Sequence, residues 1–237
     1  MPDEITVKRL AWDEVGERFF ETGVDRGVLY KQAADGTYPL GVAWNGLTSV
    51  NQNPSGAEAT KLYANNHKYL NLLSAEEFGA TIGAYTYPDE FAECDGSGIV
   101  GAGVTVGQQA RKAFGFCYRT RIGNDIDGTE KGYKLHFVYG ATAKPSPREY
   151  QTINDSPEAM SLSWEIETVP IEIDVEGYDF KPTATFEIDS TADLPDGYLE
   201  AVEDIIYGKD GVGAAATDPR LPLPDELIDL YLEMQGE

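Results

Sequence analysis

The sequence predicts a mainly β protein: an antiparallel β-sandwich or small barrel with a flanking α-helix, followed by a short helical acidic tail. Three observations carry this. Alternation of apolar and polar residues with a period of two recurs through the chain, as half-buried antiparallel strands require. Helical patterns are few, and the two longer ones lie near the C terminus. The 14 Tyr, 9 Phe and 3 Trp supply a substantial aromatic core, which separates the chain from disordered compositions.

Weak strand patterns come first, at 5–12 and 17–22. Residues 30–39 read as a hairpin turn with Asp35-Gly36 at its centre. Further weak strands follow at 40–50, 68–73 and 79–87. Between them, residues 51–66 read as a long polar loop with turn residues at both ends, Asn51 to Gly56 and Asn65-Asn66. Loops of that length in compact domains are usually functional or disordered. A short helix is expected after Pro88, over Asp89 to Glu93. Gly96 to Gly101 reads as a flexible surface loop. Phe116, Tyr118 and Ile122 share one strand phase, with Arg119 and Arg121 on the other.

Gly123 to Gly128 suits a hairpin turn into the next strand, where Tyr133, Leu135, Phe137 and Tyr139 alternate with Lys134, His136 and Val138. Leu162, Trp164 and Ile166 form another phase, opposite Ser163, Glu165 and Glu167. Pro170 marks an edge or break. Ile171, Ile173 and Val175 predict a strand, and Ala184, Phe186 and Ile188 another. After Pro195-Asp196, Leu199, Val202 and Ile206 recur at helical spacing until Gly208. Gly208 to Pro222 reads as a linker. Pro224-Asp225-Glu226 opens a second helix with Leu227, Leu230, Tyr231 and Met234 on one face. The expected organisation is a β domain over 1–208 and an acidic, mobile extension over 209–237.

Charge is uneven. Residues 1–150 hold 19 acids and 15 bases, net −4; residues 151–237 hold 22 acids and 3 bases, net −19. Such a surface lacks the Lys and Arg needed to grip nucleic-acid phosphates, and it favours solubility. No apolar run approaches a membrane span, and no signal peptide is visible at Met1 to Ile5. Cys94 and Cys117 are expected as reduced, buried thiols.

The motifs that suggest chemistry lack their context. Gly96-Ser97-Gly98-Ile99-Val100-Gly101 matches a dinucleotide fingerprint in its letters, but no strand precedes it and further glycines follow. Gly123 to Gly128 opens like a calcium loop, yet Gly123 and Lys134 occupy positions that need oxygen ligands. His67 and His136 have no partner at metal-ligand spacing. No catalytic, cofactor or metal residue is assigned, and an enzyme is not expected. Trp12, Trp44 and Trp164 leave open a carbohydrate-binding β-sandwich, with Trp164 better placed as core. A hydrolase built on paired carboxylates would show one raised pKa in a cleft.

Several stretches, in order, carry a family resemblance: Glu17-Arg18-Phe19-Phe20-Glu21-Thr22-Gly23 within Gly16–Tyr30; Trp44-Asn45-Gly46 within Gly41–Leu47; Pro54-Ser55-Gly56-Ala57-Glu58; Ala75-Glu76-Glu77-Phe78-Gly79 within Ala75–Ile82; Tyr85-Thr86-Tyr87-Pro88 within Tyr85–Gly96; and Asn154–Met160. Together, over about residues 8–207, they resemble the major tail protein, or tail tube subunit, of long non-contractile-tailed bacteriophages. The resemblance implies a structural virion protein, assembled in the host cytoplasm, whose hexameric rings stack into a hollow tube. One sheet of each subunit would join its neighbours in a continuous inner barrel, and a long loop would reach the adjacent ring. The implied partners are further copies, the tape measure protein, and tail terminator and baseplate or tail-tip proteins. DNA would pass through the lumen without sequence-specific binding, with no membrane and no cofactor. A tube subunit of a contractile tail or related injection machine shares this architecture.

Within that reading, the candidate ring-stacking residues are Asn51, Asn53, Pro54, Leu62 and Tyr63 of the 51–66 loop. An acidic lumen would repel phosphates and let DNA slide. Glu165, Glu167, Glu172 and Asp174 are the candidate lumen acids. The outer surface is the equal alternative for them, because strand phase alone does not separate inside from outside.

Overall fold

A computed structural model describes residues 9–153, 155–156, 158–211 and 216–236. The expected strand at 5–12 falls partly outside them, and its described residues 9–12 are not in a strand. Asn154 and Pro157 of the resembling stretch, and residues 212–215 of the expected linker, also lie outside.

The strands are β1 (Phe20–Lys31), β2 (Gly41–Trp44), β3 (Leu47–Gln52), β4 (Ser55–Gly56), β5 (Ala59–Ala64), β6 (His67–Leu73), β7 (Glu76–Glu77), β8 (Gly79–Ala84), β9 (Gly98–Gly101), β10 (Val104–Val106), β11 (Phe114–Asn124), β12 (Gly128–Ala143), β13 (Leu162–Thr168) and β14 (Thr185–Asp189). The helices are α1 (Tyr198–Tyr207) and α2 (Pro224–Gln235), and a 3₁₀ turn spans Asp89–Glu93. The fold is mainly β and antiparallel, as the alternation predicts.

The main sheet runs β2-β1-β11-β12-β13-β8-β3, with β14 also paired to β12. Its end strands, β2 and β3, are joined by Asn45 and Gly46 alone. The two edges must therefore meet at that corner, which rolls the sheet into a partly open barrel. Its interior holds Leu29, Trp44, Ile82, Phe91, Phe116, Trp164 and their neighbours. The aromatic rings interlock at centroid distances of 4.6 Å for Trp44–Phe91, 5.6 Å for Trp44–Trp164 and 5.2 Å for Phe91–Trp164. Tilted and edge-on contacts of this kind are worth about 0.5–1.5 kcal/mol each beyond area burial.

Opposite phases of the same strands build a second core outside the barrel. Val28, Tyr30, Cys117, Leu135, Phe137, Tyr139 and Ile188 pack there against α1 and α2. Strand β12 serves both cores through its two phases, and Gly140 then shifts the period, so that Val138 and Ala141 both face the interior. Gly140 has φ +59°, and a Cβ there would lie 2.3 Å from the Val169 carbonyl oxygen. Past this kink β12 leaves β14 and pairs with β13.

The described part of 209–236 is not an appendage, which departs from the expected mobile extension. Leu221 and Leu227 are buried. Gly115 leaves room for the first of these, since a Cβ there would meet Leu221 Cδ2 at 2.3 Å. Buried tyrosine hydroxyls fasten the helical layer: Tyr30 donates to the Ile206 carbonyl at 2.6 Å, Tyr139 to Pro222 at 3.0 Å, and Tyr198 to Leu227 at 3.0 Å. Leucines spaced for a helical face, read as a tail, instead complete the outer core.

Candidate functional site

The 51–66 region is not a loop. It is the outgoing half of one long hairpin that leaves the barrel and returns. At its base β3 pairs with β8, then β4 with β7, then β5 with β6 at the tip. Asn65 and Asn66 close the tip with φ of 50° and 61°, as a two-residue turn matching strand twist requires. That Asn-Asn pair, between β5 and β6, was the legible hairpin signal behind the expected loop.

The five candidate contact residues lie on this arm but at opposite ends. Asn51 pairs with Thr81 in the sheet. Asn53 donates its amide nitrogen to Thr81 Oγ1 at 3.1 Å, and its backbone N–H to the Gly79 carbonyl at 2.7 Å. Pro54 follows at the base. Leu62 and Tyr63 sit at the tip, where Tyr63 is 69% exposed. Tyr69, Leu72 and Leu73 are exposed there as well. Register places Thr60, Leu62, Leu70 and Leu72 on one face, and Lys61, Tyr63 and Lys68 on the other.

The four candidate lumen acids divide into two pairs. Glu165 and Glu167 lie on the outward phase of β13, and Lys144 Nζ holds them at 2.6 and 2.7 Å. They line a cleft of about 370 Å³ with Asn53, Ser55 and Glu77, at the root of the arm. Glu172 and Asp174 lie on no strand, contrary to the expected strand at 171–175. Beyond Pro170 that segment makes one bridge, Ile171 to Thr183, and then buries Val175. Its backbone turns instead to α2, where the Asp174 N–H meets Asp225 Oδ1 at 3.3 Å.

Gly96 to Gly101 is likewise no flexible loop. Strands β9 and β10 form a second hairpin, with Ile99, Val100, Val104 and Val106 all about half or more exposed. Asp95 anchors its root, paired to Arg111 at 3.3 Å and Arg148 at 2.5 Å. Residues 96–110 contain no charged side chain. This run of neutrality was visible in the sequence, but glycine content masked the strands.

Trp44 and Trp164 are core residues, and Trp12 alone of the three is exposed, so no tryptophan platform for a sugar is built. His136 is buried and stacked on Tyr118 at 4.6 Å, with Nδ1 3.1 Å from Glu187. Asp25 receives a two-pronged pair of hydrogen bonds from Arg119, at 2.7 and 2.9 Å. These bonds hold its carboxyl below the ordinary aspartate range, against the opposing effect of burial. Cys94 and Cys117 are buried free thiols, as expected. Burial raises the Cys94 pKa to about 12 and that of Cys117 higher still. Among the described residues, no group of three or more His, Cys, Asp or Glu is placed to hold a metal ion. No described helix is long and apolar enough to cross a membrane.

No protein-family model matches the chain, and no curated protein matches it. The solved structures to which the chain shows similarity include two chains of larger assemblies. One is a chain of the anti-feeding prophage baseplate, at 7% identity and TM-score 0.36, covering 76% of this chain and 97% of that one. The other is a chain of the sheath-tube complex of the PVC extracellular contractile injection system, at 11% identity and TM-score 0.30, covering 69% and 88%. At these scores the likeness carries no functional argument for this chain.

Proposed function

We propose that the chain is a structural subunit of a phage-type tail, polymerising as stacked hexameric rings into the tube through which DNA passes. The observation that carries this reading is the arm. A hairpin spanning Leu47–Ala84 projects from a barrel, and its tip exposes Leu62, Tyr63, Tyr69, Leu72 and Leu73. Isolated hairpins are marginal in water, and an exposed apolar patch marks an interaction surface. The arm then serves as the ring-to-ring contact, with Leu62 and Tyr63 at the interface and Asn51, Asn53 and Pro54 setting its exit from the barrel.

Strand β14 pairs on one side only among the described strands, which offers an edge for neighbouring subunits within a ring. Glu165 and Glu167 are assigned to the conduit wall, where Lys144 tempers but does not cancel their charge. Glu172 and Asp174, carried towards α2, are assigned to the outer surface. The same assembly serves a non-contractile tail or the tube of a contractile machine.

Negative-stain electron microscopy of the concentrated protein in moderate salt tests this directly. Hollow tubes or stacked rings are the expected result. A chain that stays monomeric by sedimentation velocity across concentration and salt, and is not drawn into added tube seeds, overturns it.

A further inference from the structure

His136 is buried where the sheet runs β1-β11-β12-β14. The strands that extend the sheet pair elsewhere, β2 with Gly27–Tyr30 and β13 with Ala141–Ala143. Among the described strands, β14 is therefore held by β12 alone. Side chains from all four strands meet at the imidazole. Thr120 of β11 donates its hydroxyl proton to Glu21 Oε1 of β1 at 2.5 Å. The same Thr120 oxygen lies 2.8 Å from His136 Nε2. Glu187 of β14 stands directly across the ladder from His136, with Oε1 3.1 Å from Nδ1. Lys134 Nζ lies 3.0 Å from Glu21 Oε2. Tyr118 stacks on the ring, 8° from parallel.

Counting protons fixes the charge state this arrangement needs. A hydroxyl has one proton. Here it goes to Glu21, so Nε2 must donate to the Thr120 oxygen. A carboxylate only accepts, so Nδ1 must donate to Glu187. Both ring nitrogens donate only in the imidazolium form. A neutral ring leaves a lone pair facing either Glu187 or Thr120. Turning the Thr120 proton towards the ring instead leaves two bare oxygens 2.5 Å apart. The surrounding charges agree with this count. Glu21 of β1 and Glu187 and Asp189 of β14 bring negative charge, set against Lys134 of β12. Burial opposes the charge on Glu21, but hydrogen bonds from Thr120 and Lys134 outweigh it and hold its carboxyl below the ordinary range. The Glu21 bond keeps Lys134 charged. Tyr118, pushed up to about 12 by burial, stays neutral, and its hydroxyl accepts from Gln52 of β3.

We propose that His136 is a pH-sensitive latch for the edge strand β14. As imidazolium it ties Glu187 to Thr120 and Glu21 across the sheet; as neutral imidazole it lets go of one side. These bonds favour the charged ring. The tie is therefore complete on the acid side of the ordinary histidine range, near about pH 6.5, and is lost as pH rises. His67, exposed on the arm, is the other histidine of the chain.

The test uses the unassembled full chain at pH 5.5 and pH 8.5. NMR ¹⁵N shifts report the protons on the ring nitrogens. Amide-exchange protection factors, which remove the intrinsic effect of pH on exchange, report the hold on β14. Both ring nitrogens should carry protons at the lower pH and one at the higher. Protection in β14 should fall about tenfold between the two, the scale of one hydrogen bond to a charged group. His136→Gln and Glu187→Gln should each flatten that dependence, and His67→Gln should keep it. The Glu187 side chain is half exposed, so its substitution tests the latch even where the buried one prevents folding. A flat wild-type profile, or an unchanged pH dependence in Glu187→Gln, overturns the latch. One further step rests on the tube reading, in which β14 lends its free edge to a neighbour. Assembly should then need about tenfold more protein at pH 8.5 than at pH 5.5, and Glu187→Gln should remove the difference. Assembly indifferent to pH, beside a β14 that responds to it, leaves the latch standing and takes β14 out of the ring contact.

Discussion

Leu227 decides whether α2 belongs to the folded unit or merely trails from it. Its side chain is fully buried beneath β14 and α1, so Leu227→Ala removes three carbons from a packed site. Large-to-small changes of this kind cost about 2–5 kcal/mol, more where the surroundings do not collapse. Here the Tyr198 hydroxyl still holds the Leu227 carbonyl at 3.0 Å, because that bond uses the backbone. The helix is thereby pinned in place over the vacancy, which argues against full relaxation. We expect a loss of about 3 kcal/mol, or roughly 6–12 °C in melting temperature for a chain of this size. Urea unfolding followed by tryptophan fluorescence measures it, because Trp44 and Trp164 lie in the other core and report only if the two cores unfold together. A loss below about 0.5 kcal/mol, the range of ordinary surface substitutions, would refute the docking of α2. A change confined to far-UV signal, with the tryptophan transition unmoved, would refute cooperation between the cores.

Three further outcomes follow from the same geometry. Asp25→Asn should destabilise the chain at pH 6. A carboxyl held low in the fold contributes stability above its unfolded value and loses it as pH falls through the folded one. The gap in urea midpoint between wild type and variant should therefore close below about pH 4; a gap that widens there contradicts the Arg119 pairing. Polymerisation should be faster at about 0.15 M salt, where the Debye length is near 8 Å, than at very low salt; light scattering with the reverse dependence would show that repulsion between acidic copies is not what limits assembly. Cys94 and Cys117 should resist a thiol reagent in the native protein and react fully in denaturant. Rapid native labelling of either would place it outside its core.

Much of this fold was legible because period-two alternation is local. The strands around Tyr118, Phe137, Trp164 and Ile188 each advertise their buried face in a handful of residues. So do the helices at Leu199–Ile206 and Leu227–Tyr231. What escaped was set by backbone irregularity or by distant partners. Strand β1 carries two register shifts and Arg26 at φ 49°, so its side chains never alternate cleanly. Its end is buried on both faces, Leu29 towards the barrel and Val28 and Tyr30 towards the helices. Residues 51–66 read as a loop because β4 and β5 bury no side chain within the chain; exposure on both faces erases the pattern that a strand normally shows. The strand expected at 171–175 fails for the opposite reason. Its alternation is real, but beyond the Ile171–Thr183 bridge no described strand pairs with it, and Val175 is buried without a ladder. Candidate site residues inherited these errors: Glu165 and Glu167 were placed on a true strand, and Glu172 and Asp174 were not.

The charge map and the two hairpins belong to one physical problem. Copies carrying −23 each repel wherever their acidic bodies approach within a Debye length, and salt only shortens that reach. Association is cheapest through surfaces from which acids have been removed. The arm tip, with two lysines to one acid, and the 96–110 hairpin, with no charge at all, are such surfaces. Both project from the barrel on paired strands, and both expose aliphatic or aromatic side chains that have no cover within the chain. Projection matters as much as neutrality, because a contact made at the end of a hairpin leaves the bodies apart. An acidic body with charge-poor protrusions thus associates at chosen points and resists collapse elsewhere. A regular polymer needs that division, since a subunit that sticks everywhere aggregates and one that repels everywhere does not assemble.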